Sequence, residues 1–224
     1  ALRSSLYCAS ARKRRTDMAL KIILSIVIGY ALGNVSTGLI ISKLGSGMDI
    51  RDAGSGNAGA TNVLRTLGWM PSLLTFVGDA LKGVIAALIG MWLCGQTGII
   101  CGGIASIIGH NWPAAFGFKG GKGISTSFGV ILVLQPYDAP WLLLVMAIAL
   151  YFTKTVSIGS ICAAATYAII NIFQTMLSNT PVFVFSVIVA AMAIFQHRAN
   201  ISRLIKHNEN SLDFKKIERW KKKK

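Results

Sequence analysis

The sequence predicts an all-α integral membrane protein of about seven transmembrane helices, with its N-terminus outside and its C-terminus cytoplasmic. Three observations carry this. Hydrophobic residues make up 53% of the chain and charged residues only 14%, where an ordinary soluble domain is about a quarter charged. The apolar runs approach the roughly 20 residues that a helical span needs, so 224 residues hold six or seven spans and little else. Basic and non-basic connections alternate between those runs, the pattern that places Lys and Arg on the cytoplasmic side.

Residues 1–17 differ from the rest. They are polar, carry the basic cluster Arg12 to Arg15, and precede Met18, which opens a long apolar run. They read as a leader or upstream extension, an organelle-type presequence or added vector sequence, and as no part of the fold. Residues 18–212 read as a single membrane domain, and 213–224 as a basic cytoplasmic tail.

Within the domain, a first span over 20–42 is followed by a connection holding Lys43, Arg51 and Arg65. A span over 71–94 leads through an uncharged turn to a third over 99–112, and the next connection holds Lys119 and Lys122. Two short spans, 124–134 and 140–152, flank an acidic turn at Asp138. Lys154 marks another basic connection. A sixth span, 155–173, and a seventh, 181–196, are joined by an uncharged turn.

The net charge of +15 fits cytoplasmic loops and a tail near anionic lipid headgroups. No aromatic-interleaved basic platform accompanies it, so nucleic acid is not an expected partner. Cys94, Cys101 and Cys162 lie in apolar runs and Cys8 in the leader. None has CxxC spacing, so no metal cluster or disulfide framework is expected.

The chemistry-bearing residues fall in the basic connections. In residues 49–68, Gly54, Gly56 and Gly59 would let backbone amides close on a phosphate. Ser55, Asn57, Thr61 and Asn62 add neutral hydrogen-bonding groups, and Arg65 a planar fork for phosphate oxygens. In residues 109–126, Lys119-Gly120-Gly121-Lys122-Gly123 opens a helix whose N-terminus suits an anion, with Thr126 in its first turn. This is not a Walker A loop, since Phe116 and Gly123 stand where that motif needs Gly and Ser or Thr. His110 at the head of the segment reads as structural.

In residues 197–212, His197 and Asn200 share one side of a helix leaving the membrane, and Arg203 and Glu209 follow. His197 has the chemistry of a general base near neutral pH. Asp79 and Lys82, at i,i+3 inside the second span, form a candidate ion pair. Intramembrane charges are paired and mark functional sites by default; a structural pair and a substrate-touching pair are both open.

Taken together, GSGNAGATNVLRTLG, DALKG, GHNWPAAFGFKGGKGIST and HRANISRL followed by Glu209 resemble the PlsY family, the bacterial acyl-phosphate:glycerol-3-phosphate acyltransferases. The resemblance runs from Met18 to about Leu212. It implies a compact seven-helix bundle in the bacterial cytoplasmic membrane, N-terminus outside, with an active site facing the cytoplasm. The implied reaction moves a fatty acyl group from acyl phosphate to the 1-hydroxyl of glycerol 3-phosphate. It gives lysophosphatidic acid and phosphate, the first acylation of phospholipid synthesis.

By motif matching, Ser55, Arg65, Lys122, His197 and Asn200 would be catalytic. Asn57, Asn62, Asp79, Lys82, Lys119, Gly120, Gly121 and Thr126 would bind substrate. Ser36, His110 and Glu209 have roles left open. The chain departs from the family at Gly33-Asn34-Val35-Ser36-Thr37-Gly38, which lacks an expected Pro, and at His207, where the family has Gly two residues before the last Glu.

Acyl phosphate is already activated, so holding two anions together and excluding water is the main task. Lys122, Arg65 and loop amides would take the phosphates, and a membrane groove the acyl chain. The hydroxyl proton would go to His197, oriented with Asn200, or to the leaving phosphate. The expected partners are the two substrates and membrane lipids, with no cofactor and no metal; a monomer is compatible with the sequence.

Other classes fit less well. A transporter would pair its broken helices between two halves, whereas these motifs gather on one side. A His-x4-Asp lipid acyltransferase is disfavoured because none of His110, His197 and His207 has Asp five residues later. A structural subunit would not need so many phosphate-type groups on one face.

Overall fold

The computed structural model describes residues 2–212, with side chains from residue 12 onward. The expected basic tail, 213–224, lies outside the described residues. Nine α-helices are described: α1 (Leu2–Asn34), α2 (Thr37–Ser46), α3 (Ala60–Leu67), α4 (Trp69–Asn111), α5 (Ile124–Leu134), α6 (Ala139–Thr153), α7 (Val156–Gln174), α8 (Thr180–Gln196) and α9 (Arg198–Ile205). Short 3-10 turns at Ile50–Asp52 and Ala114–Phe116 complete the elements. This is the all-helical fold expected from composition.

The expected leader is not set off from the first span. No Gly or Pro interrupts residues 2–28, and α1 runs through them unbroken. Arg12 to Leu20 are all exposed, so nothing packs on this stretch.

The first expected span is broken. At Val35–Ser36 the chain leaves the helix, and the buried Lys82 ammonium donates to the carbonyls of Gly33 (3.1 Å) and Val35 (2.6 Å). Asn34 joins in, with Nδ2 donating to Tyr30 O and Oδ1 accepting from Ala115 N. Carbonyls freed at a break in a membrane helix need such partners, and these side chains supply them. Ser36 starts α2 without a side-chain cap and is buried.

The second and third expected spans form one long element with a reversal inside it. Cys94 and Gly95 leave the helical region, Gly95 with φ 63°. The arms then return side by side: the backbones of Gly90 and Gly98 touch, and a Cβ on Gly102 would lie 3.3 Å from Ala86 O. α4 is therefore a helical hairpin.

Small residues set the packing on it, as in membrane bundles, where close backbone approach replaces the hydrophobic drive available in water. α1 runs parallel to the second arm. Ser25 Oγ donates to Gly98 O, 73 residues away, and Gly29 on Gly102 and Gly33 on Ser106 keep the same offset. α5 runs antiparallel to the first arm, with Gly83 on Thr126 O and Gly129 on Ala80 O. α6, α7 and α8 close the bundle around Ile107, Val130, Ile131, Leu142, Tyr167 and Phe185.

By length and composition alone, the stretch 12–46, α4 and α7 could each cross a membrane. α8 with α9, bent by 56°, makes a fourth, and α5 and α6 are shorter apolar helices. Helix directions put the break after α1, the loop before α5, the start of α7 and the end of α8 at one end of the bundle. The tip of α4, the α5–α6 turn and the α7–α8 turn lie at the other, where Trp92, Tyr137 and Trp141 are exposed.

Candidate active site

Each of the basic segments folds locally before it meets the others. In residues 49–68, Asp49 caps the 3-10 turn and is gripped by the Arg51 fork at 2.8–3.0 Å. Arg51 also donates to Phe116 O. Gly54 (φ 61°) and Gly56 (φ 71°) turn the chain. Asn62 gathers that turn: Oδ1 accepts from Ser55 N at 2.8 Å, and Nδ2 donates to Ile50 O and Ala53 O. Its amide is thereby used up within the loop. Ser55 is held at the exposed rim, and α3 carries Arg65 into the interior of the site.

The second segment is pressed onto the end of α4. Gly121 N donates to His110 O at 3.0 Å. A side chain on Gly121 would collide with the His110 ring, and one on Gly120 with His110 O and Pro113. The glycines read as amide donors for an anion are thus needed first for this contact, and the Gly121 amide is already bonded. Gly123 (φ 78°) then starts α5, and Asn57 Nδ2 ties the first segment to Gly120 O.

The third segment supplies the counter-charge. Lys122 Nζ donates to Asn200 Oδ1 in a short hydrogen bond. Asn200 Nδ2 donates to Glu209 Oε1 at 2.6 Å, which also accepts from Ser157 Oγ. Arg203 Nε binds Glu209 Oε2 at 2.7 Å. Burial opposes ionisation of Glu209, but the hydrogen bonds from Asn200, Arg203 and Ser157 outweigh it and hold the carboxyl below its ordinary value. Burial lowers Lys122 to about 8, assisted by Arg203 and Arg65 and opposed by Glu209. His197, 2% exposed, holds Ala193 O with Nδ1 at 2.7 Å. A carbonyl only accepts, so Nδ1 carries the proton and Nε2 is the nitrogen left to a ligand.

These groups face one cavity. Ser55, Asn57, Arg65, Lys122, His197 and Asn200 line it, together with Asp79 and His110 from α4. Residues of the first turns of α3, α5 and α7 line it as well. First-turn amides lack helical partners, and the helix dipoles add positive charge there, so the cavity is built for anions. A second polar cavity shares Ser55, Asn57, Lys122 and Asn200 and adds Lys119, Gly120, Gly121, Arg198 and Arg203. An apolar slot opens from the first cavity past Phe76, Ile124, Met146 and Ser160.

Lys82 and Thr126, expected to bind substrate, and Ser36, whose role was open, sit elsewhere or are otherwise engaged. Lys82 lines no described cavity; Asp79 (2.9 Å), Gly33 O and Val35 O take its three donors. The Asp79–Lys82 pair exists, and its lysine braces the α1 break while Asp79 also faces His110 Nδ1 at 3.5 Å. Thr126 is fully buried behind α5 against Gly83, its hydroxyl without a partner. Ser36 is buried away from the described cavities. Glu209 touches the site through Asn200 and Arg203.

Sequence reasoning missed Ser157 and Ser160, which line the anion cavity from α7. Their i,i+3 spacing at the head of an apolar run was the available signal. It also missed Asn111, buried in the second cavity with both amide atoms unpartnered, and Gln196, which donates to Gly121 O. Among the described residues, no group of three or more His, Cys, Asp or Glu is placed to hold a metal ion.

Comparison with known proteins adds independent findings. A family model described as glycerol-3-phosphate acyltransferase matches residues 23–207. A glycerol-3-phosphate acyltransferase of Thermoanaerobacter sp. (strain X514) is 45% identical over 85% of this chain and 95% of its own length. One of Clostridioides difficile (strain 630) is 42% identical over 87% and 97%. Crystal structures of PlsY, an integral membrane glycerol 3-phosphate acyltransferase, are similar as well. The glycerol 3-phosphate form has a TM-score of 0.80 at 35% identity, covering 86% of this chain and 96% of that one. The lysophosphatidic acid form has a TM-score of 0.79 at 34% identity, over 88% and 97%.

Proposed function

The chain belongs to the glycerol-3-phosphate acyltransferase family, and from that premise we propose that it acylates the 1-hydroxyl of glycerol 3-phosphate with acyl phosphate as donor. The products are lysophosphatidic acid and inorganic phosphate. One observation carries the reading: the anion cavity, holding Lys122, Arg65 and the free face of His197, opens directly into an apolar slot. A donor with a phosphate head and an alkyl tail fits that junction, with its reacting carbonyl where the polar and apolar spaces meet.

In the proposed step the glycerol oxygen attacks the acyl carbon, and its proton passes to His197 Nε2. The bond from the acyl carbon to the phosphate oxygen breaks, phosphate leaves with the electron pair, and the proton is returned to it. Lys122, Arg65 and the first-turn amides of α5 and α7 balance the phosphate charge in both substrates and in the leaving group. Asn200 and Glu209 orient Lys122. The two adjoining polar cavities, joined at Lys122 and Asn200, give each phosphate its own place, which supplies the proximity that an activated donor needs.

The domain is proposed to span residues 18–212, with seven crossings counted by taking the two arms of α4 separately. The site end is assigned to the cytoplasm of a bacterial inner membrane, because Lys43, Arg51, Arg65, Lys119, Lys122 and Lys154 lie in the connections at that end. The decisive experiment incubates purified protein with palmitoyl phosphate and labelled glycerol 3-phosphate. Lysophosphatidic acid is expected. Failure with acyl phosphate but product from acyl-CoA or acyl-carrier protein would overturn the donor.

A further inference from the structure

The apolar slot has a definite depth. Four helices line it and their directions agree. Going down from the mouth, α5 passes from Ile124 to Ile131 and α7 from Ser160 to Tyr167. The antiparallel α6 and α8 pass from Met146 to Leu142 and from Ala193 to Val189. Seven residues along α5 or α7 descend about 10 Å. At that level the Tyr167 ring, 1% exposed, stands edge-on to Phe185 with centroids 6.3 Å apart.

Below Tyr167 the character of the protein changes. Its hydroxyl donates to Gln135 Oε1 at 2.6 Å, and Gln135 Nε2 donates to Asn171 Oδ1 at 2.8 Å. Asn171 Nδ2 returns to Tyr167 O at 2.9 Å, and Thr175 Oγ1 adds a bond to Asn171 Oδ1. Asn171 is fully buried. Asn171 Nδ2 also reaches Asp138 Oδ2 at 3.5 Å, and the network has no part in the chemistry at the other end of the bundle. An alkyl chain pushed deeper would have to break these buried hydrogen bonds, and each orphaned group would cost more than a methylene gains. One side of the slot is open, since Leu143 on its wall is 46% exposed towards lipid.

We propose that Tyr167, pinned by Gln135 and Asn171, is the floor of the acyl slot and fixes how much of the donor chain the enzyme reads. The inference rests on the donor reading above. At C–C bonds near 1.5 Å, an extended chain covers 10 Å in roughly eight carbons. Carbons beyond that number turn out past Leu143 into the bilayer, where they gain nothing from the protein. The enzyme therefore discriminates among short and medium acyl groups and accepts long ones alike.

The test measures kcat/KM of the protein in proteoliposomes against saturated acyl phosphates from four to sixteen carbons. Wild type is expected to climb steeply, by up to about fourfold per methylene buried, and to level off near eight to ten carbons. Tyr167→Ala should move the break outwards, and Ala164→Phe, filling the slot one turn above the floor, should move it inwards. Tyr167→Phe keeps the ring and should leave the break in place, which separates the wall from the hydroxyl network. A uniform climb through sixteen carbons in wild type would overturn the floor, and so would a break that stays put in both folded slot variants. If wild type makes no lysophosphatidic acid from any acyl phosphate, the donor reading itself falls.

Discussion

At the scale of single residues, the site divides into groups that touch a ligand and groups that hold them. In the proposed mechanism Lys122 is of the first kind, and Lys122→Ala should lower kcat/KM by about a hundredfold or more; full retained activity would remove it from the site. Its lowered proton affinity has a sign that can be checked. The ammonium is lost as pH rises through about 8, so activity should fall over that range. Stability should move the other way. The unfolded lysine keeps its proton up to its ordinary value near 10.5, so between the two values the unfolded state binds more protons and raising pH favours the fold.

His197 has its proton-bearing nitrogen committed to Ala193 O. Gln in its place should cost a hundredfold to ten-thousandfold in kcat, the usual worth of a general base. A loss under tenfold would hand the proton to the leaving phosphate. His207 is a different case. It sits at φ 55°, in the left-handed region where a side chain costs about 1–2 kcal/mol, and it is the position where the related pattern has glycine. His207→Gly should raise unfolding stability by about 1 kcal/mol with little change in activity, read by thermal denaturation. The residue types of His197, Asn200, Arg65 and Lys122 were legible in the sequence because their chemistry is unusual beside apolar runs. The silent partners were not: nothing in the string shows that Asn62 is consumed by its own loop or that Lys82 faces backbone carbonyls.

At the scale of elements, glycine has two functions that a sequence does not separate. Gly54, Gly56 and Gly123 take left-handed turns, as their setting in polar loops suggested. Gly29, Gly83, Gly102 and Gly129 lie inside apolar helices and let backbones touch. A Cβ on Gly102 would lie 2.6 Å from Ser25 Oγ, so Gly102→Val should destabilise the bundle by about 3 kcal/mol or more. Unchanged thermal stability in detergent would contradict the packing of α1 on α4. The broken first helix shows why span boundaries were harder to read than spans. The sequence marks the break only by the small and polar stretch Gly33 to Gly38, whereas the lysine that takes its freed carbonyls lies 47 residues further on from Val35. Such a long-range capture leaves no local trace.

At the scale of the whole molecule, alternation of charge along the chain becomes a separation of ends in space. The basic connections meet around one pair of polar cavities, while the uncharged and acidic turns gather at the far end with exposed aromatics. On a cysteine-free background, single cysteines at Lys154 and at Tyr137 should react with an impermeant maleimide from opposite sides of the membrane. Labelling of both from one side would overturn the proposed topology. The all-helical membrane fold was legible because hydropathy is counted along the chain. The convergence of cavity and slot was not, since it depends on which helices run parallel.

Glu209 stands near the end of the described chain, yet it balances Lys122 through Asn200 and anchors Arg203, while Arg65 binds Asn210 O beside it. A protein is synthesised from its N-terminus, so every helix of the bundle is made before that carboxylate exists. Until residues 209–212 emerge, Lys122 and Arg203 lack the counter-charge of Glu209, and Leu212 has yet to bond Lys154 O. The helices are thus made before the carboxylate that balances the site, so a chain released before residue 209 would occupy lipid without a finished active site.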